Sequence, residues 1–189
     1  MNNPRILIVD DEASIRQSYL SILKPDTQAG LDEMASFLFD DEPDLLNDEE
    51  EFQEAMEEAI IVERELNVGE YEIVEASRGA EAVEAVKHSV LENNPFSLVF
   101  LDMRMPPGIN GLEAAKKIRE YDPFVEIVIM TAYADYNFEE IAEEIGNPQR
   151  LLYFNKPFHP EQITQLAASI TQRWYLEKNL RDQEKGSAS

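Results

Sequence analysis

A doubly wound α/β fold is the architecture this sequence predicts, on two observations: five short, nearly continuous apolar runs, and an amphipathic helical pattern after each of them. The runs cover residues 6–9, 71–76, 97–101, 125–130 and 151–154. Strands that are apolar along almost their whole length, rather than on alternate residues, are buried on both faces, which calls for a parallel sheet between helices. Right-handed crossovers then distribute the helices over both sides of the sheet.

Taken in order, the first run ends in Asp10-Asp11-Glu12, and Ile15, Tyr19, Ile22 and Leu23 follow at the three- and four-residue spacing of one helical face. Val83, Val86 and Val90 give the second helix, Leu112, Ala115 and Ile118 the third, and Phe138, Ile141, Ala142 and Ile145 the fourth. Ile163, Leu166, Ala167, Ile170 and Trp174 give the fifth. The result is a (βα)5, flavodoxin-like sheet with expected strand order 2-1-3-4-5. The first crossover is abnormal: it holds about 40 residues beyond one helix, against loops of about 2–6 residues in ordinary α/β units. Within this insertion, residues 25–69, Leu31, Met34, Ala35 and Leu38 fit a short helix, and Phe52, Met56, Ala59 and Ile60 a longer one. Asp40-Asp41-Glu42-Pro43-Asp44 breaks them. The expected organisation is a domain over residues 4–176, with the acidic helical insertion packed on its edge, and a polar tail or linker over 177–189. Leu176 and Leu180 continue the last helical pattern too sparsely to specify a coiled coil.

A chain of 189 residues with 43% apolar residues is long and apolar enough for one full core. It has no cysteine, which excludes disulfides, thiolate metal sites and thiol catalysis. The formal charge of −23 argues against nucleic acid or an anionic membrane surface as a direct partner, since both require a basic face. Residues 25–70 carry a net −16 of that charge, so the acidity is concentrated in the insertion. The four-residue apolar run near the N-terminus is too short for a signal peptide or a membrane span, so a cytoplasmic location is expected.

In open α/β sheets, ligands sit at the carboxyl ends of the strands, near the point where strand order reverses. The residues just past the apolar runs are Asp10-Asp11-Glu12, Asp102, Thr131 and Asn155-Lys156-Pro157. In the order 2-1-3-4-5, strands one and three are neighbours about 4.8 Å apart, so their terminal carboxylates converge. Acids so placed repel each other unless a cation joins them, and an all-oxygen set without Cys or His selects a hard ion, with Mg²⁺ the natural choice. A metal, a carboxylate nucleophile, a hydroxyl and a fixed ammonium are the components of phosphoryl transfer. Singly each element is weak, because acids at strand ends are often helix caps, as Asp11 and Asn110 are placed to be. Their coincidence in one fold carries the reading.

Ile6-Leu7-Ile8-Val9-Asp10-Asp11-Glu12, Leu98-Val99-Phe100-Leu101-Asp102-Met103-Arg104-Met105-Pro106 with Asn110-Gly111-Leu112, Met130-Thr131-Ala132 and Asn155-Lys156-Pro157-Phe158 together resemble bacterial response-regulator receiver domains of two-component signalling. The resemblance covers roughly residues 4–24 and 70–175. It implies that Asp102 is the phosphoacceptor, and that Asp10, Asp11, Asp102 and the backbone carbonyl of Arg104 bind Mg²⁺. It also implies that Thr131 and Lys156 contact the phosphoryl oxygens, that the Lys156-Pro157 bond is cis, and that Tyr153 is the switch aromatic. Arg104 and Tyr133 match positions that tune the lifetime of the phosphoryl group. The implied partners are a histidine kinase or phosphotransfer protein. Receivers with a similar inserted crossover look like those at the front of longer chains ending in a diguanylate cyclase, phosphodiesterase or kinase output domain.

Two departures fall away from the acids: the Met105-Pro106-Pro107-Gly108-Ile109-Asn110-Gly111 loop is one residue longer than the common pattern, and Gly146-Asn147-Pro148-Gln149-Arg150 replaces a small-residue turn. Two other classes of function compete. A binding module freed from phosphochemistry has no physical need of a mutually repulsive acid cluster. An aspartyl phosphatase of the haloacid-dehalogenase type needs a second acid two residues after its nucleophile, and position 104 is Arg.

Overall fold

The apolar runs form the strands and the periodic segments the helices of a computed structural model that describes residues 3–24, 71–132 and 138–187. In chain order these are β1 (Arg5–Val9), α1 (Ala13–Leu23), β2 (Glu72–Ala76), α2 (Gly79–Leu91), β3 (Leu98–Asp102), α3 (Gly111–Tyr121), β4 (Glu126–Thr131), α4 (Phe138–Ile145), a 3-10 turn (Pro148–Arg150), β5 (Leu151–Asn155) and α5 (Pro160–Ser187). All the strand pairs are parallel and the order is β2-β1-β3-β4-β5. The expected doubly wound sheet is therefore present. The acidic insertion, residues 25–69, and Tyr133 lie outside the described residues.

Side-chain alternation along the strands divides the interior into two cores. On one face Leu7, Val9, Val99, Leu101, Ile127 and Ile129 pack against α2, α3 and α4. On the other, Ile6, Ile8, Leu98, Phe100, Val128 and Met130 pack against Tyr19 and Leu23 of α1 and Ile163, Ala167 and Ile170 of α5. Val83 and Val86 are buried as expected, whereas Val90, in the last turn of α2, is 37% exposed. In that turn Ser89 takes the buried position instead, at 3% exposure.

α5 differs from the sequence reading of 177–189 as a tail, since the helix continues unbroken to Ser187. Charge holds its distal half. Glu126 opens β4 on the α5 face, fully buried, and accepts from Arg150 Nη1 at 2.6 Å and from Arg173 Nη2 of α5 at 2.7 Å. Arg150 also pairs with Glu177, and the Arg181 guanidinium lies 4.1 Å from the centre of the Phe124 ring. A polar segment that would fray alone is stitched to the strand ends by ion pairs and a cation–π contact.

α3 is positioned most closely against β3. Asn110 caps it, accepting from the Glu113 N–H at 2.9 Å while the Glu113 carboxylate accepts from the Asn110 N–H, a reciprocal capping box. The Gly111 N–H donates to the Met103 carbonyl at 3.0 Å, and a Cβ at Gly111 would stand 2.2 Å from the Asp102 carbonyl oxygen. Only a residue without a side chain permits this approach. Gly111→Ala is expected to lower stability by about 1–3 kcal/mol, the usual cost of forced overpacking, read as an earlier midpoint in urea denaturation.

Candidate functional site

β1 and β3 are paired with Val9 opposite Leu101. One step further along the register, Asp10 stands opposite Asp102, and both continue the strand face that carries Ile8 and Phe100. Both acids are nearly inaccessible, at 2% and 8% exposure. The Lys156 ammonium, just past β5, lies between them, donating to Asp10 Oδ2 and to Asp102 Oδ1 at 2.6 Å each. The remaining carboxylate oxygens accept from main-chain N–H groups: Asp10 Oδ1 from Glu12 at 2.9 Å, Asp102 Oδ2 from Arg104 at 2.7 Å.

β5 reaches the site because its end is tied to β4. The Lys156 N–H donates to the Thr131 carbonyl at 2.7 Å, Thr131 pairs with Asn155, and the Lys156-Pro157 bond is cis. Beneath the site Tyr19 of α1 is packed between Phe100, two residues before Asp102, and Phe158, two residues after Lys156, with ring centres 5.1 and 4.9 Å away. The Tyr19 hydroxyl is buried and has no hydrogen-bond partner among the described residues. Burial first, and then the charges of Asp10 and Asp102, hold that hydroxyl well above its ordinary pKa.

The electrostatics follow from two buried anions facing one cation. Burial raises the Asp102 pKa above its usual range, with the Asp10 charge adding to the rise and the bonds from Lys156 and the Arg104 N–H opposing it. Burial works to lower the Lys156 pKa, but hydrogen bonds and charge from Asp10 and Asp102 outweigh it and the ammonium is held charged.

The structure thus brings Asp10, Asp102 and Lys156 into direct contact, with Thr131 buried at the adjoining end of β4. Asp11 is exposed on the turn beside them, and α1 begins from Glu12 at the cap position rather than from Asp11. Among the described residues, no three Asp, Glu, His or Cys side chains converge as a ligand cluster; the ammonium closes the group instead. Arg104 contributes its N–H to Asp102, and its side chain is exposed. Tyr153 is half-buried on the α2–α4 face, away from the acids. The donor set suits a hard divalent cation, being all oxygen and carrying one negative charge more than Lys156 neutralises.

Sequence reasoning missed Arg16 and Tyr19. Arg16 Nη1 donates to the Asp10 carbonyl at 2.7 Å, and Tyr19 forms the floor described above. Tyr19 was visible only as a member of the apolar stripe, and Arg16, one turn past Asp11, was not distinguished from a solvated helix charge.

A family model for the response regulator receiver domain matches residues 37–168, a span that includes Asp102, Thr131 and Lys156 and begins after β1. The chain is 31% identical over 104 residues to Sporulation initiation phosphotransferase F of Bacillus subtilis (strain 168), covering 55% of this chain and 77% of that protein. It is 31% identical over 103 residues to Aerobic respiration control protein ArcA of Escherichia coli (strain K12), covering 54% of this chain but 39% of that protein. In structure it is similar to a response regulator receiver domain protein (CheY-like) from Methanospirillum hungatei JF-1, with a TM-score of 0.59 and 20% identity over 93% of this chain and 99% of that chain.

Because burial raises the Asp102 pKa in the folded state, its ionisation costs stability, a cost absent below the ordinary carboxylate range that builds as pH rises from there and is complete above the folded value. Asp102→Asn carries no such charge. In metal-free buffer at pH 7 it is expected to melt a few degrees above the wild type, and the margin is expected to close as pH falls toward about 4, near the ordinary carboxylate range. Thermal denaturation of both proteins across that interval checks it.

Proposed function

The chain belongs to the response regulator receiver family, and on that premise we propose that Asp102 is its phosphoacceptor, working with Asp10, Asp11, Thr131 and Lys156. A receiver domain of a two-component response regulator is a signalling switch rather than a turnover enzyme. Asp10 and Asp102 are both buried and both paired with Lys156, and one observation favours Asp102 as the acceptor: it ends β3, between Asp10 and the β4 end that carries Thr131.

The reaction that suits these residues is in-line transfer. A carboxylate oxygen of Asp102 forms a bond to phosphorus as the bond to the donor breaks, that donor being a phosphohistidine of a histidine kinase or phosphotransfer protein, or a small acyl phosphate. The Arg104 N–H fixes the plane of the carboxylate. Lys156 follows the negative charge, leaving the carboxylate for a phosphoryl oxygen, because phosphorylation removes the Asp102 carboxylate charge that held it. The Thr131 hydroxyl, at the end of β4, donates to a second phosphoryl oxygen. Mg²⁺ would be held by Asp10, Asp11, Asp102 and the Arg104 carbonyl, and would supply positive charge to oxygens that otherwise repel the acidic pocket.

The same reading makes Tyr153 the aromatic that follows the Thr131 hydroxyl, linking the site to the surface formed by α4 and β5. Phosphorylation would bias two arrangements of that surface, and a partner or an output domain of a longer parent chain, such as a diguanylate cyclase, phosphodiesterase or kinase, would bind one of them better. The receiver core is taken as residues 4–176, and α5 carries the chain on past it to Ser187 with Glu177 and Arg181 still in contact with that core. No described helix is long and apolar enough to cross a membrane, in keeping with a cytoplasmic site of action.

Incubation with acetyl phosphate and Mg²⁺, followed by intact mass measurement, is expected to add one phosphoryl group to the wild type. Asp102→Asn and a metal-chelated sample are expected to show none. An adduct that persists in Asp102→Asn would displace Asp102 from the acceptor role.

A further inference from the structure

Asp10 is one residue past β1, and its main chain has only half left the sheet. Its N–H still donates to the Ala76 carbonyl of β2 at 3.2 Å. Its carbonyl is met instead by a side chain, Nη1 of Arg16 at 2.7 Å, from the first turns of α1. Nε of the same guanidinium donates to Glu75 Oε2 at 3.2 Å, one residue before the end of β2. With Glu12 and Lys156 on its carboxylate oxygens, every polar atom of Asp10 is then fixed. A rotation of the peptide plane after Asp10 would release the carbonyl and swing the carboxylate, so the group that holds the carbonyl also sets the aim of the acid.

The guanidinium suits this task because its N–H groups leave a rigid plane in fixed directions, so the contact with Glu75 orients the donor that reaches Asp10. A lysine ammonium carries the same charge without that plane. The Arg16 contact with the Asp10 carbonyl is part-buried, with 17% of the Arg16 side chain exposed, whereas Glu75 is exposed, so the ion pair serves to orient the guanidinium more than to add stability.

We propose that Arg16 is a positioning residue: clasped by Glu75, it holds the Asp10 carbonyl and thereby aims the Asp10 carboxylate into the site shared with Asp102 and Lys156. The proposal rests on the phosphoacceptor reading and extends it to a β2–α1 contact outside the acid cluster. It also gives the charge of Arg16 a sign that separates two roles. If the guanidinium acted only as a nearby cation, removing it would leave the pocket more negative and tighten divalent-cation binding. If it positions Asp10, removing it weakens that binding.

Mg²⁺ binding to the full chain would be measured by titration calorimetry for the wild type, Arg16→Met, Arg16→Lys and Glu75→Gln, with urea denaturation to establish that each is folded. Arg16→Met is expected to bind Mg²⁺ roughly 10-fold or more weakly, in the range seen when residues supporting a metal ligand are removed. Arg16→Lys is expected to recover only part of the loss, and Glu75→Gln to show a smaller loss in the same direction. Amide exchange at Asp11 and Glu12 in metal-free protein is expected to quicken in the same order. Unchanged or tighter Mg²⁺ binding in a folded Arg16→Met, or full recovery in Arg16→Lys, overturns the proposal. Should Arg16→Met not fold, Arg16→Lys and Glu75→Gln with wild-type binding and exchange overturn it equally. A wild type that binds no Mg²⁺ and takes no phosphoryl group removes the phosphoacceptor reading instead, and the exchange rates then decide alone whether Arg16 holds Asp10.

Discussion

The Lys156 ammonium between Asp10 and Asp102 is the contact on which the rest of the site depends, because the parallel pairing of β1 with β3 sets two acids opposite each other. Strand spacing of about 4.8 Å leaves them no room to separate. Burial strengthens both their repulsion and their attraction to one cation, and the raised pKa of Lys156 shows which interaction prevails on the ammonium. The Asp102 pKa remains raised despite that cation. Two buried acids facing one ammonium leave a net negative charge in the pocket that suits a further positive partner, which is the physical ground for reading the cluster as a site.

Much of the surrounding structure serves the geometry of this contact. Gly111 lets α3 press on the backbone of Asp102, Tyr19 wedges between the strand of Asp102 and the loop of Lys156, and Arg16 pins Asp10 to the end of β2. These supports come from two helices, α3 and α1, with the end of β2 as an anchor, so the site is over-determined in position, as a site built on rigid elements has to be. At the opposite end of the sheet Glu126 performs a different task. It gathers Arg150 and Arg173 in a buried network that fixes the distal part of α5 to β4. The two ends of β4 thus carry Thr131 beside the acids and Glu126 beside the long helix, at opposite ends of one six-residue strand.

The family match and the geometry support the site from complementary sides. The match begins at residue 37, after β1, so it places Asp102, Thr131 and Lys156 in a receiver sequence but does not include Asp10. The sheet supplies what the match omits, because the pairing of β1 with β3 brings Asp10 to Asp102 across the long first crossover. The insertion lengthens the chain between α1 and β2 without disturbing their docking, in keeping with the slow growth of loop-closure cost with length.

The sequence by itself determined the fold class and the residues at the strand ends. Both are local properties: continuous apolar runs mark strands buried on two faces, and a polar residue directly after such a run falls at the carboxyl edge of the sheet wherever the strand goes. Asn110 as a helix cap was legible for the same reason, since its partner Glu113 is three residues away. The tertiary structure alone decided that Lys156, 146 residues from Asp10 and 54 from Asp102, bridges the two acids while Asp11 faces outward. It alone decided that Glu126, an acid inside an apolar run, is buried against two arginines, and that a polar stretch of α5 remains helical on the domain. Periodicity specifies which face of its own element a residue occupies. Which charge meets which across the sheet depends on strand order, register and side-chain reach, and these exist only once the elements have packed.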